Sequence, residues 1–311
     1  MNPRVSVVIP TYNRKAVLLE SIASVQQQTF GDLQILVCDD GSTDGSREAV
    51  EALAANDPRV HWVPGAHIGF PGAVRNRGIR AAATQWVAFQ DSDDLWLPQK
   101  LERQFAVLED APEAQFIYCH AAALLPDGSR QRMTPFRIRR QGWVFETLLM
   151  YSVVHPQTIL ARRSLFEEVG YFDEGMRLRI VDDYELVLRL AAKVPFHFVA
   201  EDLVLYRTQA DSISADLFGS IDEYERVLNS IIARLNVPAA LAREALCRIE
   251  LRRYKNHLLR GYPREVRLQD LRRALHRRPD SPLGRALQLT EGLGCAGWLK
   301  RLLTAQARNN A

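Results

Sequence analysis

Little in this sequence favours a covalent staple, a leader or a membrane anchor. Only four cysteines, Cys38, Cys119, Cys247 and Cys295, are spread through 311 residues, with no Cys-x-x-Cys. Neither a zinc site nor a thioredoxin-like motif is spelled out, and a reducing compartment is the expectation. Glycine (17) and proline (15) are too sparse for a collagenous or low-complexity chain. No apolar stretch reaches the roughly 18 residues that span a bilayer. Met1-Asn2-Pro3 runs straight into Val5-Ser6-Val7-Val8-Ile9, without the basic and long apolar regions of a signal peptide. Also missing are Gly-x-Gly-x-x-Gly after the first apolar run and Gly-x-x-x-x-Gly-Lys-Ser/Thr anywhere, which disfavours dinucleotide enzymes and P-loop NTPases. What remains is an ordinary globular composition, 47% hydrophobic and 25% charged, in a chain long enough to bury a large core unaided.

The net charge of +3 hides an uneven distribution. Residues 1–215 hold 22 Lys/Arg against 27 Asp/Glu, and residues 216–311 hold 18 against 10. The first part is acidic by 5 and the second basic by 8, so the two are expected to meet different partners. A basic segment of this size attracts nucleic acid, anionic lipid or an acidic polymer, unless its arginines are simply a solvated helix face.

Short apolar runs alternate with helix-like stretches through the first 120 residues. Residues 5–9, 33–38, 60–63, 86–89 and 116–119 are rich in β-branched and aromatic side chains and read as buried strands. Residues 16–28, 43–54, 72–83 and 98–109 have helical spacing, as in Val17, Leu18, Ser21, Ile22 and Val25 on one face. Ser42 and Thr43 are placed to cap the second helix, and Pro98 sits at a first helical turn. This rhythm predicts an α/β fold, a mainly parallel Rossmann-like sheet with helices on both faces, whose ligands bind beyond the carboxyl ends of the strands. Residues 122–140 are basic and punctuated by Pro126-Asp127-Gly128, a hairpin or loop. Further on, 143–150 look helical, 158–161 strand-like and 183–192 helical. From 218 the pattern is helical, broken at Pro238, at Gly261-Tyr262-Pro263 and over 279–282. The expected organisation is a ligand-binding domain over 1–215 and a basic helical extension over 216–311.

Three acidic groups fall at the predicted strand ends and helix starts: Asp39-Asp40-Gly41-Ser42, Asp91-Ser92-Asp93-Asp94 and Asp182-Asp183. A single Asp after a strand is commonly a cap or turn residue. Three such groups on one sheet edge repel one another unless a cation or hydrogen-bond donors hold them ionised. A hard divalent ion, Mn²⁺ or Mg²⁺, is the simplest explanation. Mg²⁺ usually takes one or two carboxylates and completes its shell with water and phosphate oxygens, so Asp-x-Asp suits a diphosphate. After the first strand, Pro10-Thr11-Tyr12-Asn13-Arg14 offers an aromatic face for a base in place of a phosphate cradle.

Over roughly residues 3–215 the sequence resembles a family 2 inverting glycosyltransferase of the GT-A fold. The matching stretches are Val5-Ser6-Val7-Val8-Ile9-Pro10-Thr11-Tyr12-Asn13-Arg14, Val37-Cys38-Asp39-Asp40-Gly41-Ser42-Thr43-Asp44, Ala73-Val74-Arg75-Asn76-Arg77-Gly78 and Phe89-Gln90-Asp91-Ser92-Asp93-Asp94, in that order. Asp182-Asp183-Tyr184-Glu185-Leu186 resembles the family's Glu-Asp-Tyr-Asp-Leu segment. Leu205-Tyr206-Arg207-Thr208-Gln209 departs from the pattern, since a His that helps hold the metal in some relatives commonly stands at Gln209. The resemblance implies a nucleotide-sugar site built from Pro10, Thr11, Tyr12, Asp39, Asp40, Arg75 and Asp91. Tyr12 would pack on the base, Asp40 accept the N3 hydrogen of a uracil, Arg75 approach the base or phosphates, and Asp91 contact the ribose. Asp93 would hold the Mn²⁺ or Mg²⁺ bridging the diphosphate, and Asp94 would cap the following turn.

The implied chemistry follows from charge. Breaking the bond between the anomeric carbon and the diphosphate makes an oxocarbenium-like sugar and a dianionic leaving group, so charge growing in the transition state must be stabilised. The acceptor hydroxyl attacks from the opposite face and needs a carboxylate to take its proton. Asp183 is the candidate base, with Asp182 the alternative one residue away. The implied partners are a UDP-sugar or dTDP-sugar donor and a glycan or lipid-linked acceptor, with no nucleic acid. The implied setting is cytoplasmic, in bacterial surface-glycan assembly. Gly297-Trp298-Leu299-Lys300-Arg301-Leu302-Leu303 either lies on an anionic membrane at its inner face or packs back on the catalytic domain. His67 and His155 are the histidines worth testing. Two other readings compete. A sugar nucleotidyltransferase would carry a Gly-rich basic loop after the first strand, where Pro10-Thr11-Tyr12-Asn13-Arg14 stands. A non-catalytic nucleotide-sugar scaffold is opposed by the intact Asp40, Asp91, Asp93 and Asp183.

Overall fold

The computed structural model describes residues 3–133, 138, 140–208, 217–292, 296 and 300. The chain divides into two compact units, Met1–Asp211 and Ser212–Ala311. The first is built on one nine-stranded sheet. Strand β1 (Val5–Thr11) lies between β2 (Leu33–Asp39) and β4 (Trp86–Phe89), and β3 (Val60–Val63) flanks β2, all four parallel. Beyond β4 come β8 (Ile159–Arg162), β6 (Phe116–Leu124), β9 (His197–Arg207) and β5 (Leu95–Trp96), while β7 (Arg130–Arg132) forms a hairpin on β6. Followed across the sheet, β6 and β9 run in the direction of β1 to β4, and β5, β7 and β8 run against them. The sheet is thus wholly parallel around β1 and mixed beyond β4.

The central strands are buried on both faces, which is why they read as continuous β-branched runs with no polar alternation. Val5, Val7 and Ile9 pack with Leu18, Ile22 and Val25 of α1 (Lys15–Gln26), Val50 of α2 (Ser46–Ala54), and Leu101 and Phe105 of α4 (Lys100–Asp110). On the other face, Val8 meets α3 (Pro71–Ala81) and Phe89 meets Phe166 of α6 (Arg163–Val169). Helix α3 approaches so closely that a Cβ on Gly78 would lie 2.3 Å from Val8 Cγ1 and 2.8 Å from Cys38 Sγ. Only glycine permits that contact, and it sets the depth at which Arg75 enters the site. Two further helices complete the unit, α5 (Phe145–Met150) and α7 (Asp182–Lys193).

Several local expectations are corrected. Ser42 and Thr43 do not cap α2: the Ser42 hydroxyl accepts from the Asn13 N–H and the Thr43 N–H donates to Asn13 Oδ1, while Asp44 accepts from the Ser46 N–H. Pro98 precedes α4 by two residues, whereas Pro71 opens α3. Strands β5 and β9 and helix α6 were not anticipated as elements.

The second unit contains α8 (Leu217–Arg234), α9 (Ala239–Arg260), α10 (Arg264–Arg277) and α11 (Pro282–Gly292), separated at the predicted breaks. Much of its basic charge is met internally. Arg253 pairs with Asp222 and Glu225, Arg273 with Glu250 and Asp270, Arg267 with Glu291, and Arg278 with Glu244. Among the described residues no helix is long and apolar enough to cross a membrane. The candidate membrane segment beginning at Gly297 lies outside the described residues except for Lys300, as does Gln209.

Candidate active site

The parallel strands β1, β2 and β4 deliver their carboxyl ends to one edge, and the sequence-predicted residues gather there. Thr11, the last residue of β1, stands in register with Asp39, the last of β2, and the Asp40 N–H donates to the Thr11 carbonyl at 2.9 Å. The two neighbouring carboxylates then diverge. Asp39 turns on its own loop, accepting from the Gly41 and Ser42 N–H groups at 3.0 Å each. Asp40 reaches across to the loop before α3, accepting from the Ile68 N–H at 2.7 Å and the Gly69 N–H at 2.9 Å. Asp40 Oδ1 thereby keeps a second lone pair, while His67 Nδ1 also lies 3.0 Å from Oδ2. Tyr12 stands 43% exposed just past β1. Its ring stacks on that of His67, with centroids 4.3 Å apart and planes inclined by 26°.

The turn after β4 carries three acids with three different fates. Asp91 accepts from Arg75 Nη2 at 2.6 Å. Asp93 is engaged by Arg14, which follows β1. Burial, and after it the charge of Asp91, pushes the Asp93 carboxyl above the usual range, with Arg14 opposing. Asp94, expected to cap a turn, does not: it is fully buried, accepting from Gln157 Nε2 at 2.7 Å and from the Arg207 N–H at 2.9 Å. It ties β9 and the turn before β8 to the Asp91 loop. Burial and the neighbouring acids hold its carboxyl well above normal.

Arg75 has partners that the sequence did not indicate. Its buried guanidinium spans two carboxylates, with Nη2 on Asp91 and Nη1 on Asp182 Oδ2 at 3.0 Å. Burial works against its charge, but Asp91 and Asp182 outweigh it and keep the group firmly protonated. The approach of α7 depends on Gly72, where a Cβ would lie 2.8 Å from Asp182 Oδ2. Asp182 is thus committed to Arg75. Asp183 accepts only from the adjacent Tyr184 N–H at 2.8 Å among the described residues, and it is less buried than Asp182. Burial, reinforced by the charge of Asp182 and opposed by Arg75, pushes the Asp183 carboxyl up to about 8. Burial likewise keeps His155 below its ordinary value, against the pull of Asp91.

Sequence reasoning missed the supports around this cluster. Asn76 donates to the Phe172 carbonyl and accepts from the Phe172 N–H, each at 2.9 Å, and Phe172 packs beneath the Arg75 guanidinium. Arg189, paired with Glu185 inside α7, donates to the carbonyls of Val169, Gly170 and Tyr171. The loop between α6 and α7 is therefore clamped from both sides. Arg14 and Asn76 lay within quoted motifs, and for Arg14 the surplus of acids it faces was the available signal. Two buried polar atoms at the site, Thr11 Oγ1 and Arg75 Nε, have no protein partner among the described residues. There is also no cluster of three or more His, Cys, Asp or Glu residues, among those described, that could hold a metal by itself.

The family model described as glycosyl transferase family 2 matches residues 6–178. An uncharacterized glycosyltransferase of Rickettsia bellii is 28% identical over 249 residues, a stretch covering 80% of this chain but 34% of that protein, so the chain spans about a third of that relative's length. The UDP-Glc:α-D-GlcNAc-diphosphoundecaprenol β-1,3-glucosyltransferase WfgD of Escherichia coli is 36% identical over 104 residues, 33% of this chain and 40% of its own. In fold, the chain is similar to TarS 1–349 of S. aureus, solved in complex with UDP-GlcNAc, with a TM-score of 0.64 at 16% identity over 94% of this chain and 92% of that one. The likeness establishes the GT-A fold.

Proposed function

The chain belongs to glycosyl transferase family 2, and on that footing we propose that it is an inverting transferase carrying a hexosyl or N-acetylhexosaminyl group from a UDP-sugar to a hydroxyl of a glycan or lipid-linked acceptor, in the assembly of a surface polysaccharide. The observation that carries this reading is the pair of bonds from Arg75 to Asp91 and Asp182. One guanidinium joins the carboxylate assigned to the donor's ribose to the helix bearing the candidate base, so the binding and reacting halves form one rigid cluster. A UDP donor accords with the aromatic face of Tyr12 beside the Asp40 carboxylate, and with the donors named for the E. coli relative and the S. aureus neighbour. The lipid-linked acceptor accords with that relative's diphosphoundecaprenol substrate.

The residues fit a divalent cation, Mn²⁺ or Mg²⁺, held jointly with the donor. Asp93 offers oxygen ligands at a site where burial and Asp91 already make its charge costly. A set with so few protein ligands suits an ion whose shell is completed by water and phosphate. When bound, the ion would neutralise the leaving diphosphate. The chain's own residues do the rest. Tyr12 stacks on the uracil, Asp40 accepts its N3 hydrogen, and Asp91 holds the ribose. The orphaned Thr11 Oγ1 and Arg75 Nε meet polar atoms of the donor. Asp183 accepts the proton of the acceptor hydroxyl as that oxygen attacks the anomeric carbon from the side opposite the diphosphate. Asp182 acts only through Arg75, as a positioning residue.

A base works ionised, and a carboxyl pushed up to about 8 is mostly protonated in the donor-free enzyme at pH 7. The value of kcat/KM should therefore climb about tenfold per pH unit below pH 8 and level off above it. UDP release from a panel of UDP-sugars, measured from pH 6 to 9 with acceptor present, tests this reading. A rate already flat at pH 6 removes Asp183 as the base, and no UDP release from any nucleotide sugar removes the activity itself.

A further inference from the structure

We infer that His67 holds the place of the nucleobase in the donor-free protein, so that a base must displace its ring before it can reach Tyr12 and Asp40. This rests on the reading of those two residues as the base site. The imidazole makes both contacts assigned to a uracil. It stacks on Tyr12 with centroids 4.3 Å apart. Its Nδ1 lies 3.0 Å from the Asp40 carbonyl oxygen and 3.0 Å from Asp40 Oδ2. A planar heterocycle with an N–H directed at Asp40 while it lies on Tyr12 reproduces the pattern that a uracil N3–H would make. The ring and the base therefore compete for one aromatic face and one side of one carboxylate.

The surroundings seat His67 closely yet leave it a way out. Asp40 anchors the backbone just beyond it through the Ile68 and Gly69 N–H groups. Gly41, at φ +83°, presses against it from the β2 turn, where a Cβ would lie 3.0 Å from the His67 nitrogen and 3.3 Å from its Cβ. The side chain is nevertheless 52% exposed, so a rotation about its own bonds clears the site while the anchored backbone stays put. The cost of that rotation falls equally on every donor, so the ring lowers affinity without choosing among bases. His67 is thus a residue that sets donor affinity by competition for the base site. The apparent affinity of a ligand whose binding-competent state is only part of the population is reduced by that fraction.

The test is UDP titration by calorimetry in saturating Mn²⁺ for the full chain and for His67→Ala, His67→Phe, Tyr12→Ala and Asp40→Asn, with thermal unfolding as the check on folding. Removing a stacked ring of this kind should tighten UDP binding about 2- to 10-fold in His67→Ala and speed association. His67→Phe, which keeps a ring to stack but no N–H, should fall between His67→Ala and the unaltered protein. If His67→Ala binds UDP more weakly or equally while Tyr12→Ala and Asp40→Asn both weaken it, the base site stands and the competition is overturned. If Tyr12→Ala and Asp40→Asn leave UDP binding unchanged, the base-site reading fails, and this inference with it.

Discussion

Asp183→Asn should lower turnover by about two to four orders of magnitude, the usual worth of a general base, while UDP-sugar affinity stays within about twofold. The geometry separates Asp183 from its neighbour. Asp182 is buried against Arg75 Nη1, so Asp182→Asn disturbs the Arg75 bridge and affects donor binding and turnover together. Asp183 holds no arginine among the described residues, and asparagine keeps its size and its acceptor for the Tyr184 N–H. A selective loss of kcat is therefore the signature of proton transfer. Single-turnover measurements on both variants distinguish the two roles. An Asp183→Asn enzyme that transfers sugar at near the unaltered rate would refute the assignment.

The second large effect concerns the metal. UDP should bind weakly in chelator and tighten about 5- to 150-fold on adding Mn²⁺ or Mg²⁺, the usual range of coupling between two ligands of one site. Asp93→Asn should lose most of that gain. The reason lies in the charge balance of the turn after β4, where Asp91 and Asp93 each engage one arginine and burial raises the Asp93 carboxyl. With so few protein ligands, neither the cation nor the diphosphate has a complete site without the other. Isothermal titration of UDP with and without metal, on both proteins, provides the check. Equal affinity in chelator and in Mn²⁺ would count against any shared site.

Much of the catalytic edge was legible because its logic is local. Strands buried on both faces announce themselves as β-branched runs, and an acid placed directly after such a run must sit at the sheet's carboxyl edge. Asp39, Asp40, Asp91 and Asp93 could be placed that way. Strand β9 was obscured because Glu201 and Asp202 interrupt its apolar run where its register with β6 shifts near His120. The two-residue β5 is too short to leave a pattern. The partners of Arg75 and the role of Asp94 were missed for another reason: those partners are remote. Asp182 lies 107 residues from Arg75, and Gln157 lies 63 from Asp94. Which acid a buried guanidinium selects depends on how α3 and α7 pack, and the space for that packing is set by a missing Cβ at Gly72. His67 could be singled out as a histidine near the site, but its stacking on Tyr12 emerges only when the loop before α3 folds over the end of β2.

The most direct measurement is the anomeric configuration of the product, read by proton NMR after transfer from an α-linked UDP-sugar in Mg²⁺. A single displacement, with Asp183 taking the proton on the face opposite the leaving diphosphate, predicts a β-linked product and no trace of the α-anomer. An α-linked product would contradict the mechanism, because retention requires either a second displacement or attack from the diphosphate side.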